Sequence, residues 1–173
     1  LNKNKRLVIV CLNVGYDLRT ADNSGTHGTT ATESEMFMNE TFAIKDLRRL
    51  TLFIGAYGSG KSEISINFAA WLRQSGHAVT LCDLDIINPY FRSADARTVV
   101  EASGIRLIAP VFAGTNVDVP AVPAGIYSVF DDLSRHAVLD IGGEDLGARV
   151  IATIKDRLAA APDPAAVYMV VNP

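Results

Sequence analysis

One eight-residue stretch constrains this chain more than any other. Gly55-Ala56-Tyr57-Gly58-Ser59-Gly60-Lys61-Ser62 is a full match to G-x-x-x-x-G-K-[S/T]. That pattern has a mechanism only where a strand feeds a tight loop that opens into a helix. The flanks fit: Leu50–Ile54 is a short apolar run, and Lys61–Gln74 sets Ile64, Phe68, Ala69, Trp71 and Leu72 broadly on one helical side. In such a loop the glycines let backbone N–H groups turn inward around phosphate oxygens, and the helix N-terminus adds its dipole. Lys61 would reach the β- and γ-phosphates of a nucleotide, and the Ser62 hydroxyl would ligate Mg²⁺. Gly58 suits a backbone conformation with positive φ. The competing reading is a glycine-rich turn capped by serine.

Beyond residue 50 strands and helices alternate. Strands are expected at 78–82, 105–109, 137–141 and Ala166–Val171, and helices at 93–102, 124–133 and 144–160, with a loop over 111–122. That alternation predicts an α/β fold, a parallel sheet covered on both faces. The first 49 residues differ. They hold seven basic and six acidic side chains, against nine and thirteen in the remainder. Residues 5–14 (KRLVIVCLNV) read as one strand, and residues 20–34 have 11 of 15 positions as Thr, Ser, Gly, Asp or Asn, which reads as loop or disorder. Residues 36–49 support at best a short element. No chemistry is evident in 1–49, which reads as a leader, a partner-binding arm, or sequence upstream of the true start; 50–173 is the expected nucleotide-binding domain.

Composition narrows the class. In 173 residues, 49% hydrophobic and 20% charged side chains exclude a disordered or collagen-like chain. Sixteen Lys and Arg against 19 Asp and Glu leave a net charge of −3, with no basic footprint for nucleic acid. Two cysteines, Cys11 and Cys82, are too few for a disulfide framework, and Cys82 reads as a small buried thiol. No apolar run reaches the roughly 18–20 residues of a membrane span, and no small-residue cleavage site follows the apolar run over 7–14. A cytoplasmic protein is the expectation.

Two further signals surround the loop motif. Asp83 and Asp85, in LCDLD, fall at the carboxyl end of the strand after the first helix, where ligands of open parallel sheets bind. Alternation puts both on one face if the strand continues. One reading has one carboxylate holding magnesium waters while the other orients an attacking water; the other has them capping the turn before Pro89. The third signal is HAVLDIGG, an apolar strand ending in Asp140 and then D-x-x-G. Asp140 there suits a magnesium-binding carboxylate, and Gly143 allows a backbone N–H close to a γ-phosphate. The NPYFR run at 88–92 reads as a switch loop or a substrate or partner contact, and Arg97 as a solvated helix charge. His27, His77 and His136 share no ligand spacing, and Phe68 and Trp71 read as core.

A strand–loop–helix with this motif, then a strand ending in D-x-D, then one ending in D-x-x-G, resembles the MinD/ParA/CobQ group of SIMIBI-class P-loop nucleotidases. The resemblance spans about residues 50–173, and VVNP at 170–173 is similar to that group's strand end after the Walker B strand. GAYGSGKSEISINFA, VTLCDLDIINPYFRS and VLDIGGEDLGAR resemble a bacterial branch of ATP-binding proteins of unassigned role. It implies a three-layer P-loop sandwich with a mostly parallel sheet, truncated at its C-terminus before the segment that recognises the base. Further, it implies ATP and Mg²⁺ as ligands, phosphate binding by residues 55–62, Asp85 as the water-activating carboxylate, Asp83 as its outer-shell neighbour and Asp140 as the Walker B aspartate. MinD and ParA carry K-G-G-x-G-K-[S/T]; Ala56 and Tyr57 stand here for the first Lys and Gly, so the lysine that reaches across a nucleotide-sandwich dimer is absent. The expected function is an ATPase acting as a nucleotide switch or partner-loading protein, with a protein partner or a second copy. The alternative is an ATP-dependent biosynthetic enzyme, an amide ligase or small-molecule kinase.

Overall fold

The computed structural model describes residues 8–12, 47–85, 94–110 and 122–171. The expected loop over 20–34, the NPYFR run, His27 and most of the 111–122 loop lie outside the described residues. In chain order the elements are β1 (Val8–Leu12), β2 (Leu50–Ile54), α1 (Lys61–Gln74), β3 (Val79–Leu84), α2 (Ala94–Ala102) and β4 (Arg106–Ile108). A 3₁₀ turn (Ala124–Tyr127), α3 (Ser128–Asp131), β5 (His136–Ile141), α4 (Glu144–Ala159) and β6 (Ala166–Val171) complete it.

The strands form one sheet in the order β1-β6-β2-β5-β3-β4. Five of them run parallel, as the strand–helix alternation requires, because each parallel return needs a crossover. β1 adds antiparallel to β6 at one edge, with Val8 opposite Val171 and Leu12 opposite Val167. A strand from the first 49 residues therefore belongs to the same sheet as the rest.

Alternation along each strand divides the core in two. Phe53, Leu81, Val138, Tyr168 and Val170 face one side, where they pack with Ile64, Phe68 and Leu72 of α1 and Val100 of α2. Leu52, Cys82, Leu84, Leu139 and Ile141 face the other, against Ile126, Val129 and Phe130 of the short helical turns and Val150 and Ile154 of α4. The result is a three-layer α/β sandwich of Rossmann-like form. β2 and β5 are hydrogen-bonded neighbours, yet the helices that follow them lie on opposite faces. Such a switch point opens a crevice at the strands' carboxyl ends.

Aromatic contacts tie α1 to the sheet. The Phe53 ring meets Phe68 edge-on at 5.5 Å and stacks on Tyr168 at 5.4 Å, and Phe68 stacks on Trp71 at 5.6 Å. Both Phe68 and Trp71 are thus packing residues. At the opposite, amino end of the sheet, Arg49 Nη1 donates to the carbonyls of Val129 and Asp132 at 2.8 and 3.2 Å, fixing the turn that leads into β5. His136 lies against His77 there, with ring centroids 4.5 Å apart. Burial holds the His136 pKa below its ordinary value, and the charges of His77 and Arg49 add to that.

Two expectations need correction. The helix expected over 124–133 is split, because its first turn is 3₁₀ and α3 ends at Asp131, where Asp132 takes an extended conformation. Arg97 is not simply solvated: its Nη2 donates to the Pro110 carbonyl at 3.0 Å, tying α2 to the chain leaving β4. Because Phe68 is fully buried at the joint of three aromatic contacts, Phe68→Ala should cost about 3–5 kcal/mol of unfolding free energy in urea titration. A loss below about 1 kcal/mol would mean that α1 is not anchored through this cluster.

Candidate functional site

The crevice at the carboxyl ends of β2, β3 and β5 collects the side chains that the sequence singles out. β2 ends at Ile54, and residues 55–60 turn the chain into α1. Gly58 has φ +75° and Gly60, the N-cap of α1, has φ +89°, conformations an L-residue rarely adopts. The Ser59 N–H donates to the Ala56 carbonyl at 3.1 Å, closing the turn. No side chain caps the helix, so its N-terminal dipole faces the loop without an anionic group of its own.

Lys61, the first residue of α1, turns into the crevice and places Nζ 3.3 Å from Asp85 Oδ2. Both are buried, at 4% and 7% exposure. A lysine so enclosed requires a counter-charge, and Asp85 provides one. Asp83, 1% exposed, accepts the Asp85 backbone N–H on Oδ1 at 3.2 Å. β3 runs on to Leu84, two residues past the expected end, because Cys82 and Leu84 continue the apolar pattern of the α4 face. Asp83 is thereby a strand residue on the α1 face, paired in register with Asp140 of β5. Both readings of the D-x-D pair leave a trace: Asp83 holds a backbone N–H as a turn cap does, and Asp85 sits on the lysine.

Asp140 is the most constrained of the three carboxylates. It is 2% exposed, and its Oδ1 has no hydrogen-bond partner among the described residues. Burial pushes its pKa up to about 7. A hydrogen bond from the Ser62 hydroxyl and the charge of Lys61 pull the other way, and Asp83 and Asp85 push it higher. A buried, unpaired carboxylate oxygen beside a serine hydroxyl is a donor set suited to a hard cation. Among the described residues no three His, Cys, Asp or Glu side chains form a metal-holding group by themselves. Magnesium does not need such a cage, since it keeps waters and takes substrate phosphates as ligands.

Glycines bring β5 against this centre. Gly143, the N-cap of α4, also lacks a side-chain cap, so a second helix N-terminus opens beside the loop. A Cβ on Gly143 would lie 2.8 Å from the Gly55 carbonyl oxygen, and one on Gly142 would lie 3.2 Å from Asp85 Oδ1. The sequence pointed to Gly143 alone. Gly142 was missed because its role is a close approach visible only in three dimensions, although the Gly142-Gly143 doublet was its signal.

The remaining expectations divide plainly. Ala56 and Tyr57 stand on the loop's outer edge, with Tyr57 74% exposed. Cys82 is fully buried with its thiol pushed up to about 12 by burial, which removes it as a nucleophile. Comparison with protein-family models, with curated proteins and with solved structures finds no match to this chain. Among the described residues no helix is long and apolar enough to cross a membrane.

The Asp140 shift has a consequence for stability. Its folded pKa lies above the ordinary 3.8, so between about pH 4 and 7 the folded chain holds a proton that the unfolded chain releases. Stability from this group is present below that window and is lost as pH rises through it. Relative to the parent, Asp140→Asn should therefore be more stable at pH 8 than at pH 4.5 in denaturant unfolding. A parent–variant difference that does not change with pH would show Asp140 ionised throughout.

Proposed function

We propose that this chain binds Mg²⁺–ATP on the loop over residues 55–62 and hydrolyses it, serving as a nucleotide switch or partner-loading ATPase of the P-loop type. The observation that carries this reading is a convergence. One buried lysine, three buried carboxylates and two uncapped helix N-termini meet at the switch point of a parallel sheet. A structural ion pair would account for Lys61 and Asp85. It would not account for the orphaned Asp140 oxygen or for glycines at both helix starts.

In this reading the amides of residues 57–62 bind phosphate oxygens, and Gly143 offers one more N–H at the far side. Lys61 exchanges its contact with Asp85 for the β- and γ-phosphates, so the bound anion takes over the counter-charge role that Asp85 fills now. Ser62 and Asp140 would hold Mg²⁺, with Asp83 on its water shell; the ion, when bound, supplies charge neutralisation at the phosphates. Asp85, released from Lys61, accepts a hydrogen bond from the attacking water and orients it. Adenine as the base, and a protein partner or second copy as the switch's target, come from the family resemblance.

The test is equilibrium binding of ATP and GTP with Mg²⁺, beside single-turnover phosphate release without an added acceptor. Lys61→Ala should weaken triphosphate binding about tenfold to more than a hundredfold, the worth of a charge-assisted contact of roughly 1.5–3 kcal/mol. Asp85→Asn should keep binding within a few-fold and slow hydrolysis at least about tenfold, as loss of a water-orienting base does. Unchanged affinity in folded Lys61→Ala would sink the phosphate assignment. Phosphate release only on adding an amine or hydroxyl acceptor would favour the ligase or kinase.

A further inference from the structure

Behind the loop, on the face away from Lys61, lies a cavity of about 760 Å³. Its floor is the loop itself from Gly55 to Ser59, and its walls come from α4 and from the end of β6. Ile54, Ile141 and Ile151 belong to the apolar cluster under α4, which places the cavity on the α4 side of the sheet. Lys61, Asp83, Asp85 and Asp140 do not line it. Alternation along β6 sends Tyr168 and Val170 to the α1 side, so Met169 and Val171 face the cavity side. They remain 39% and 40% exposed there, which leaves apolar surface of the sheet open to this space.

Three observations define what would fit. The volume falls within the roughly 300–1,000 Å³ of small-molecule sites. No ionisable carboxylate, amine or guanidinium lines the cavity among the described residues, so an ionic ligand would meet no counter-charge. Finally, Ser59 is 6% exposed and its hydroxyl has no hydrogen-bond partner among the described residues. A buried hydroxyl without a partner is costly and rare in native structures. That hydroxyl lies 2.9 Å from where a Cβ on Gly55 would stand, within the cavity's floor.

We infer that this cavity is a binding site for a neutral, largely apolar small molecule carrying one hydrogen-bonding atom, which partners the Ser59 hydroxyl while its hydrocarbon part lies between Ile151 and Met169. This site is separate from the charged crevice and stands whether or not the loop carries phosphates. The loop is their shared wall. Tyr57, exposed at the rim, gives the entrance an aromatic edge. The small residues Gly147 and Ala148 on α4 leave the space that a larger side chain would fill.

The probe is 1-naphthol, a neutral ring with one hydroxyl, titrated against full-length chain carrying ¹³C-methyl methionine. The chain has three methionines, so a shift confined to the Met169 methyl locates the site. The site predicts a saturable shift at Met169, at least tenfold weaker binding of naphthalene-1-sulfonate, and a two- to tenfold loss in Ser59→Ala, about the worth of one hydrogen bond. Ala148→Phe, a substitution at an exposed helix position, should fill the cavity and weaken 1-naphthol at least tenfold at unchanged circular dichroism. No saturable shift at Met169 would overturn the inference. Equal binding of the sulfonate would do so too, as would equal binding in Ser59→Ala, and these arms decide the matter even if Ala148→Phe does not fold. Concentration-dependent dimerisation that Ala148→Phe abolishes would also overturn it, by making the cavity an interface between copies.

Discussion

The buried ion pair between Lys61 and Asp85 is the contact around which the rest of the site is arranged. Charges with less than a tenth of their surface exposed are held in place only where fixed groups replace the water they lose. The fold supplies those groups because two neighbouring strands, β2 and β5, send their helices to opposite faces and leave their own carboxyl ends open between them. Lys61 enters this opening as the first residue of α1. Asp83 and Asp140 enter it from adjacent strands in register, and Asp85 follows where β3 ends. Breaking such a pair from one side costs about 3–5 kcal/mol, because the remaining charge stays buried. An anion that takes over Asp85's role leaves Lys61 satisfied and frees the carboxylate, which is the physical content of a switchable site.

Much of this was legible in the residues. The limits of β2, α1 and β6 follow from apolar runs bounded by glycine or polar turns, and the structure keeps them. β3 was harder to delimit, since aspartates in a strand read as loop until the apolar alternation of Cys82 and Leu84 is seen to continue through them. The 3₁₀ start of the segment after Pro123 was hidden because 3₁₀ and α turns share the same short-range apolar spacing. Strand order was not legible at all. Nothing in residues 8–12 announces that they pair with β6, a contact between segments more than 150 residues apart. Nor does Arg97 announce its bond to a carbonyl beyond the next strand.

The loop over residues 55–60 serves two environments at once. On the α1 side it borders lysine and carboxylates; on the α4 side it borders an apolar space with one unpaired hydroxyl. Gly143 presses on it from β5 so closely that a methyl group would meet the Gly55 carbonyl, and Gly55 itself lies against the Val170 carbonyl. A segment packed this tightly between two strands moves only with its neighbours. Occupation of one side is therefore felt on the other, which gives the loop the geometry of a coupling element.

The central claim is that Lys61 and the loop amides receive phosphates. A crystal structure of this chain with Mg²⁺ and a non-hydrolysable ATP analogue tests it most directly. The account predicts the phosphate chain over the amides of residues 57–62, with Lys61 Nζ moved from Asp85 onto phosphate oxygens. A triphosphate bound elsewhere, or the Lys61–Asp85 contact preserved at 3.3 Å under saturating nucleotide, would contradict it.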